Sequence, residues 1–198
     1  MADLRRDAWG HGVLAVAHAV TVAGARHVLV DSPGEVDALA LEGISATVEG
    51  KADIDPAALY GLSGGGVPPV MRLVGHVLST KPLRAGDAVS YGYTHRASAD
   101  TSVALVTGGY AQGIVRALGN QACVEVATTA RPIVGRVAMD VCVIDLEGTP
   151  VSLGEEITFF GGRGAAAGNL ARWASITGLS EAELVTVAGS HASRGWEA

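Results

Sequence analysis

The chain has 198 residues, a net charge of −6, 48% hydrophobic residues and only 5% aromatic ones. That suffices for one domain or two small ones, with a core built from Val, Ala, Leu and Ile. The 14 basic residues are scattered, which excludes an electrostatic footprint for nucleic acid, and no apolar run reaches the ~20 residues of a membrane span.

In chain order, Met1 to Asp7 is charged and has no signal-peptide apolar core behind it, so the expected location is cytoplasmic. Val13, Leu14, Val16, Ala17 and Val20 fall at helical spacing, and Gly24 suits a stop. His27 to Val30 reads as a short buried strand. Ser32, Pro33 and Glu35 make a capping box with proline at the first helical position, for a helix ending near Gly43. The pattern then weakens towards Ser63-Gly64-Gly65-Gly66-Val67-Pro68-Pro69, a flexible stretch with a stiff exit. We expect a domain over residues 1–62, a linker over 63–69 and a second domain over 70–198.

Beyond the linker the signal becomes β. Met71–Ser79, Ala88–Tyr93, Ser102–Thr107, Ala122–Thr128, Val141–Leu146 and Glu156–Phe160 read as short strands separated by turns such as Arg84-Ala85-Gly86-Asp87. This series predicts an antiparallel barrel or sandwich. A helix is expected from about Ala166 to Ser175, and Ser180 with Glu183 caps a second, shorter one. Cys123 and Cys142 belong to no CxxC or Cys/His pattern and read as buried thiols. None of the six histidines pairs with another at metal-ligand spacing, so no metal is expected.

Four segments of the β part resemble alanine racemase. Ala85 to Gly92 is similar to A-G-x-x-V-S-Y-G. Gly109-Tyr110-Ala111-Gln112-Gly113, with Arg116-Ala117-Leu118 and Asn120, is similar to G-Y-A-D-G-x-x-R-A-L-x-N. Pro132 to Asp140 is similar to P-I-V-G-R-V-x-M-D, and Leu153 to Ile157 with Phe160-Gly161 is similar to V-G-D-x-V-x-x-F-G. Their order and spacing match over roughly residues 71–162. A fainter likeness lies in Arg5-Arg6-Asp7-Ala8-Trp9-Gly10-His11-Gly12, similar to K-A-D-A-Y-G-H-G, the segment that bears the pyridoxal phosphate (PLP) lysine.

The resemblance implies an α+β chain: a short βαβα remnant of a TIM-type barrel, then the small all-β racemase domain with a terminal helix. It implies that Tyr91 is the catalytic base that a β-domain lends across a dimer, and that Met139 lines the substrate carboxylate. Tyr110, Arg116, Arg136 and Asp140 match the corridor leading to the active site.

The lysine position, however, is Arg5, and the phosphate-contacting tyrosine is Trp9. A Schiff base needs a deprotonatable amine, and a guanidinium with a pKa above about 12 is not one. The only lysines, Lys51 and Lys81, lie elsewhere, and 70 residues before Met71 fall short of the about 250 of a (β/α)8 barrel. Where the family closes its gate with a Y-E pair, Ile176-Thr177-Gly178-Leu179 has no tyrosine. The resemblance thus implies no PLP held by this chain alone and no autonomous racemase activity. The expected partner is a second copy or a barrel-bearing homologue. The alternatives are a subunit lending Tyr91 in trans, or a non-catalytic binding module for a small molecule or protein.

Overall fold

The computed structural model describes residues 1–196. The chain divides into two compact units, one from Met1 to Val67 joined by the described residues from Ala192 on, the other from Pro68 to His191.

The first unit is a three-stranded parallel sheet, β1 (Ala2–Asp3), β2 (Val28–Leu29) and β3 (Ala46–Thr47), in that spatial order. The connections carry α2 (Val13–Val22) and α3 (Pro33–Leu41), with α4 (Pro56–Leu59) following β3. Ala2, Leu4, Val28, Val30, Ala17 and Leu39 form its core. The capping box at Ser32 closes as the residue types require: the Glu35 N–H donates to Ser32 Oγ at 3.3 Å and the Ser32 N–H to Glu35 Oε2 at 2.9 Å.

Between β1 and α2 lies a helical turn, α1 (Arg5–Gly10), that winds the wrong way. Arg6, Asp7, Ala8 and Trp9 have φ between 51° and 61°. Each such non-glycine residue costs roughly 1–2 kcal/mol, and four in succession need outside support. The Val13 N–H donates to Asp7 Oδ1 at 2.7 Å, the Arg6 N–H donates to the Asp31 carboxylate, and Ala8 is fully buried. Helical spacing does not reveal the hand of a single turn, so the sequence carried no sign of this.

The second unit is an antiparallel sheet in the order β10-β7-β4-β11-β8-β9. Its strands are β4 (Arg72–Leu83), β7 (Thr101–Thr107), β8 (Cys123–Val126), β9 (Thr129–Pro132), β10 (Val141–Asp145) and β11 (Glu156–Gly161). The sheet curls until its two edges meet, where Ile133 bridges Ile144 and the Val134 N–H donates to Val143 O at 2.8 Å. Register places Val77, Val106 and Cys142 in one cross-strand row and Ala104 with Ile144 in the next, all at most 2% exposed. Cys142 is among these buried residues. Its thiol donates to Gly108 O at 2.9 Å, and burial pushes its pKa up to about 12, so it is a structural thiol rather than a nucleophile.

Three sequence expectations change here. The predicted strand Ala88–Tyr93 ends early: β5 is Ala88–Val89, paired with β6 (His95–Arg96), because Ser90, Gly92 and Tyr93 all take positive φ. The first β-domain strand runs on to Leu83 instead of stopping at Ser79. The terminal helix α6 (Glu181–His191) has 11 residues against nine in α5 (Asn169–Thr177), so the capped helix is the longer of the two. Helix α5 lies on β11, with Trp173 edge-on to Phe159 and Phe160 at 6.3 and 5.3 Å between ring centroids. The Asn169 side-chain amide donates to the carbonyls of Cys123 and Phe159 at 2.9 and 2.8 Å, which pins the helix start to two strands.

Candidate functional site

Three segments that lie far apart in sequence meet on the second unit. The organiser is residues 132–140, which run back across the sheet after β9. Ser90 Oγ donates to Arg136 O at 2.6 Å, so the turn carrying Tyr91 is tied to this segment. Asn120 adds a second tie: its Oδ1 accepts from the Gly135 N–H at 2.6 Å while its Nδ2 donates to Thr94 Oγ1 at 3.1 Å. Gly135 permits the approach, because a Cβ there would fall 2.4 Å from that of Ser90.

The third segment, 108–113, docks through its backbone. The Gly108, Tyr110 and Ala111 N–H groups donate to the carbonyls of Asp140, Ala138 and Met139 at 2.9, 3.0 and 2.9 Å. Gln112 bridges the two segments, accepting from the Gly109 N–H at 3.0 Å and donating to Asp140 Oδ1 at 3.1 Å. A Cβ on Gly109 would meet the Met139 carbonyl oxygen at 2.3 Å. Gly109 therefore serves close backbone packing.

On this frame sit the residues singled out from sequence. Tyr91 is 73% exposed in its turn and Met139 is 54% exposed. Tyr110 opens a single 3-10 turn, with the Arg116 guanidinium 5.9 Å from its ring centroid. Arg136 and Asp140 are exposed, and the Arg136 guanidinium lies near the Gly92 backbone. The second unit thus presents two tyrosine hydroxyls, a thioether, two guanidiniums and a carboxylate to solvent from one hydrogen-bonded framework. Tyr93, 68% exposed, lies in the same turn as Tyr91. Asn120, Ser90 and Gln112 lie inside the motif segments, but their supporting roles depend on partners 15 to 46 residues away and so could not be read from those segments.

A family model for the alanine racemase C-terminal domain matches residues 70–196. The chain belongs to the alanine racemase C-terminal domain family. The alanine racemase of Mycolicibacterium vanbaalenii is 40% identical over 123 residues, 61% of this chain and 32% of that protein. That of Corynebacterium efficiens is 44% identical over 121 residues, 58% of this chain and 33% of that protein. The solved alanine racemase of Streptomyces coelicolor A3(2) superposes with a TM-score of 0.62 at 27% identity, covering 92% of this chain and 59% of that one. The chain spans about a third of the length of the curated relatives it matches.

The residues of the first unit can be tested against the cofactor that the family resemblance implies. Arg5 Nε and Nη2 donate to the two oxygens of Asp3 at 2.9 and 2.5 Å, and this guanidinium holds the Asp3 carboxyl below its usual range. Trp9 offers no hydroxyl, and its indole stacks on Tyr60 with ring centroids 4.1 Å apart and planes 17° off parallel. His11 tilts towards the same Tyr60 at 5.9 Å. These positions do not fit PLP: one lacks an amine that can form an imine, the other a phosphate donor.

This aromatic cluster has its own signature. Tyr60 is 3% exposed, and neither its hydroxyl nor His11 Nε2 has a hydrogen-bond partner among the described residues. Burial lowers the His11 pKa from the ordinary 6.5 and raises that of Tyr60. Below pH 6.5 the unfolded chain binds a proton at His11 more readily than the folded one does, so stability falls as pH drops. The first unit should therefore lose thermal stability between pH 7.5 and 5.5, and His11→Phe should flatten that slope. An unchanged slope in the variant would assign the effect elsewhere.

Proposed function

We propose that this chain is an alanine racemase-like protein without autonomous PLP-dependent activity, which retains the β-domain half-site and an assembly surface. The first unit, on this reading, is a short piece of a TIM-type barrel. Its parallel βαβα order supports this, as does a match to the S. coelicolor enzyme reaching well beyond the second unit. The observation that carries the proposal is Arg5, whose guanidinium is committed to Asp3 where the family keeps its Schiff-base lysine.

The test is direct. After incubation with PLP and reduction with borohydride, the chain should carry no stoichiometric pyridoxyl group, and no visible Schiff-base band should precede reduction. A single pyridoxyl fixed on Lys51 or Lys81 overturns the proposal. Arg5→Lys should give the same blank, because Trp9 still supplies no phosphate donor and each lost charge-assisted contact costs about 1.5–3 kcal/mol.

A second reading is favoured by the exposure of Tyr91 and Met139. A large aromatic and a thioether left in solvent beside Arg136 form a surface suited to a partner. In this reading the partner is a second copy or a barrel-bearing homologue, to whose site Tyr91 is donated in trans.

A further inference from the structure

The outward face of the second unit follows from strand register. Ser79 lies opposite Leu105, which lies opposite Val143; one step along, Lys81 lies opposite Val103, which lies opposite Asp145. Residues two apart along a regular strand point to the same side, so these two rows share one face; an irregularity in β4 between Val77 and Ser79 puts those two on opposite faces. The opposite face carries the buried row of Val77, Val106 and Cys142. The β5–β6 hairpin covers part of the outward face, where Leu83, Val89, Ala97, Val103 and Val134 cluster with Val143 against them. The cover is incomplete. It leaves an open hollow of about 290 Å³, floored by Val89, Val103, Leu105 and Val143, with Ser79 and Lys81 along one side.

Two polar groups there, Lys81 and Ser79, are uncommitted. Lys81 makes no ion pair and Ser79 no side-chain hydrogen bond among the described residues. Asp145, at the far end of the Lys81 row, is engaged: its Oδ1 accepts from Thr101 Oγ1 at 2.7 Å and from the Glu147 N–H at 3.0 Å. Ser90, also on the rim, spends its proton on Arg136 O. The hollow therefore offers an aliphatic floor, one free ammonium and one free hydroxyl two residues away on the same strand.

We propose that this hollow binds a short-chain aliphatic monocarboxylate. The alkyl chain lies on Val103, Leu105 and Val143, and the carboxylate accepts from Lys81 Nζ and Ser79 Oγ. The volume falls just below the ~300–1,000 Å³ usual for ligand pockets, which selects a small ligand. A single cation with one hydroxyl matches a monoanion, whereas a phosphate or dicarboxylate would leave charge unpaired beside an apolar floor. The hollow shares Ser90 with the frame that carries Tyr91, but its proposed ligand contacts are made by other residues and do not depend on the half-site assignment.

The probe is hexanoate, titrated into the isotope-labelled full chain and followed by NMR. Saturable shifts are expected at Ser79, Lys81, Val89, Val103, Leu105 and Val143. Affinity should fall roughly tenfold or more in both Lys81→Met and Lys81→Gln, and hexanol should bind weaker than hexanoate by a similar factor. Each variant's spectrum away from the hollow reports whether it is folded. Absence of saturation at millimolar hexanoate, shifts spread over the whole surface, or equal affinity in folded Lys81 variants would each overturn the proposal.

Discussion

A racemase disabled by replacing its own β-domain tyrosine with phenylalanine should regain activity when combined with this chain, and should not with the Tyr91→Phe version. The expected gain is large, because a positioned general base contributes about 10²- to 10⁴-fold. The geometry gives a physical reason for rescue. Tyr91 is held at the tip of a turn whose Ser90 is bonded to Arg136 and whose neighbour Thr94 is bonded to Asn120, so the ring is carried on a fixed frame and remains open to a partner. Steady-state rates with each version, at matched concentrations and with co-sedimentation as the check on assembly, make the measurement. Rescue that survives the phenylalanine version removes Tyr91 from the chemistry. Assembly without rescue by either version favours the non-catalytic reading.

Trp173→Ala should destabilise the second unit by about 3–5 kcal/mol, the usual loss for emptying a large buried aromatic site. Against a typical total of about 5–15 kcal/mol, that threatens folding at room temperature. Trp173 is 1% exposed and holds α5 against β11 through edge contacts to both Phe159 and Phe160. Its indole N–H is buried without a hydrogen-bond partner among the described residues, and an unsatisfied donor of this kind costs about 1–3 kcal/mol. Trp173→Phe removes that donor while keeping a ring in place, so its loss should be less than half that of the alanine variant. Urea unfolding monitored by far-ultraviolet circular dichroism compares the three proteins. Equal losses in the two variants would show that the phenylalanine ring recovers none of the indole's packing and would overturn this expectation.

Much of this protein was legible from residue order alone. The capping boxes at Ser32 and Ser180 formed because their bonds span three residues and need only local backbone geometry. Most of the β-domain strands stood out through short Val- and Ile-rich runs bounded by turn residues. Four spaced motifs were enough to point to the family, which the match over residues 70–196 then established.

What tertiary structure alone decided are the features that depend on distant partners or backbone hand. Strand β5 stops at Val89 because Ser90 turns to positive φ and bonds Arg136, a contact spanning 46 residues. Tyr91 therefore stands in solvent instead of alternating along a sheet. The left-handed turn at Arg6–Trp9 exists because Asp31 and a buried Ala8 hold it; intrinsic propensity opposes it. The stacking of Trp9 on Tyr60, 51 residues away, likewise arises only once the first unit is assembled. Composition and spacing record which groups a chain has. Which of them remain free is settled by long-range hydrogen bonds and packing, because those set the direction of each side chain.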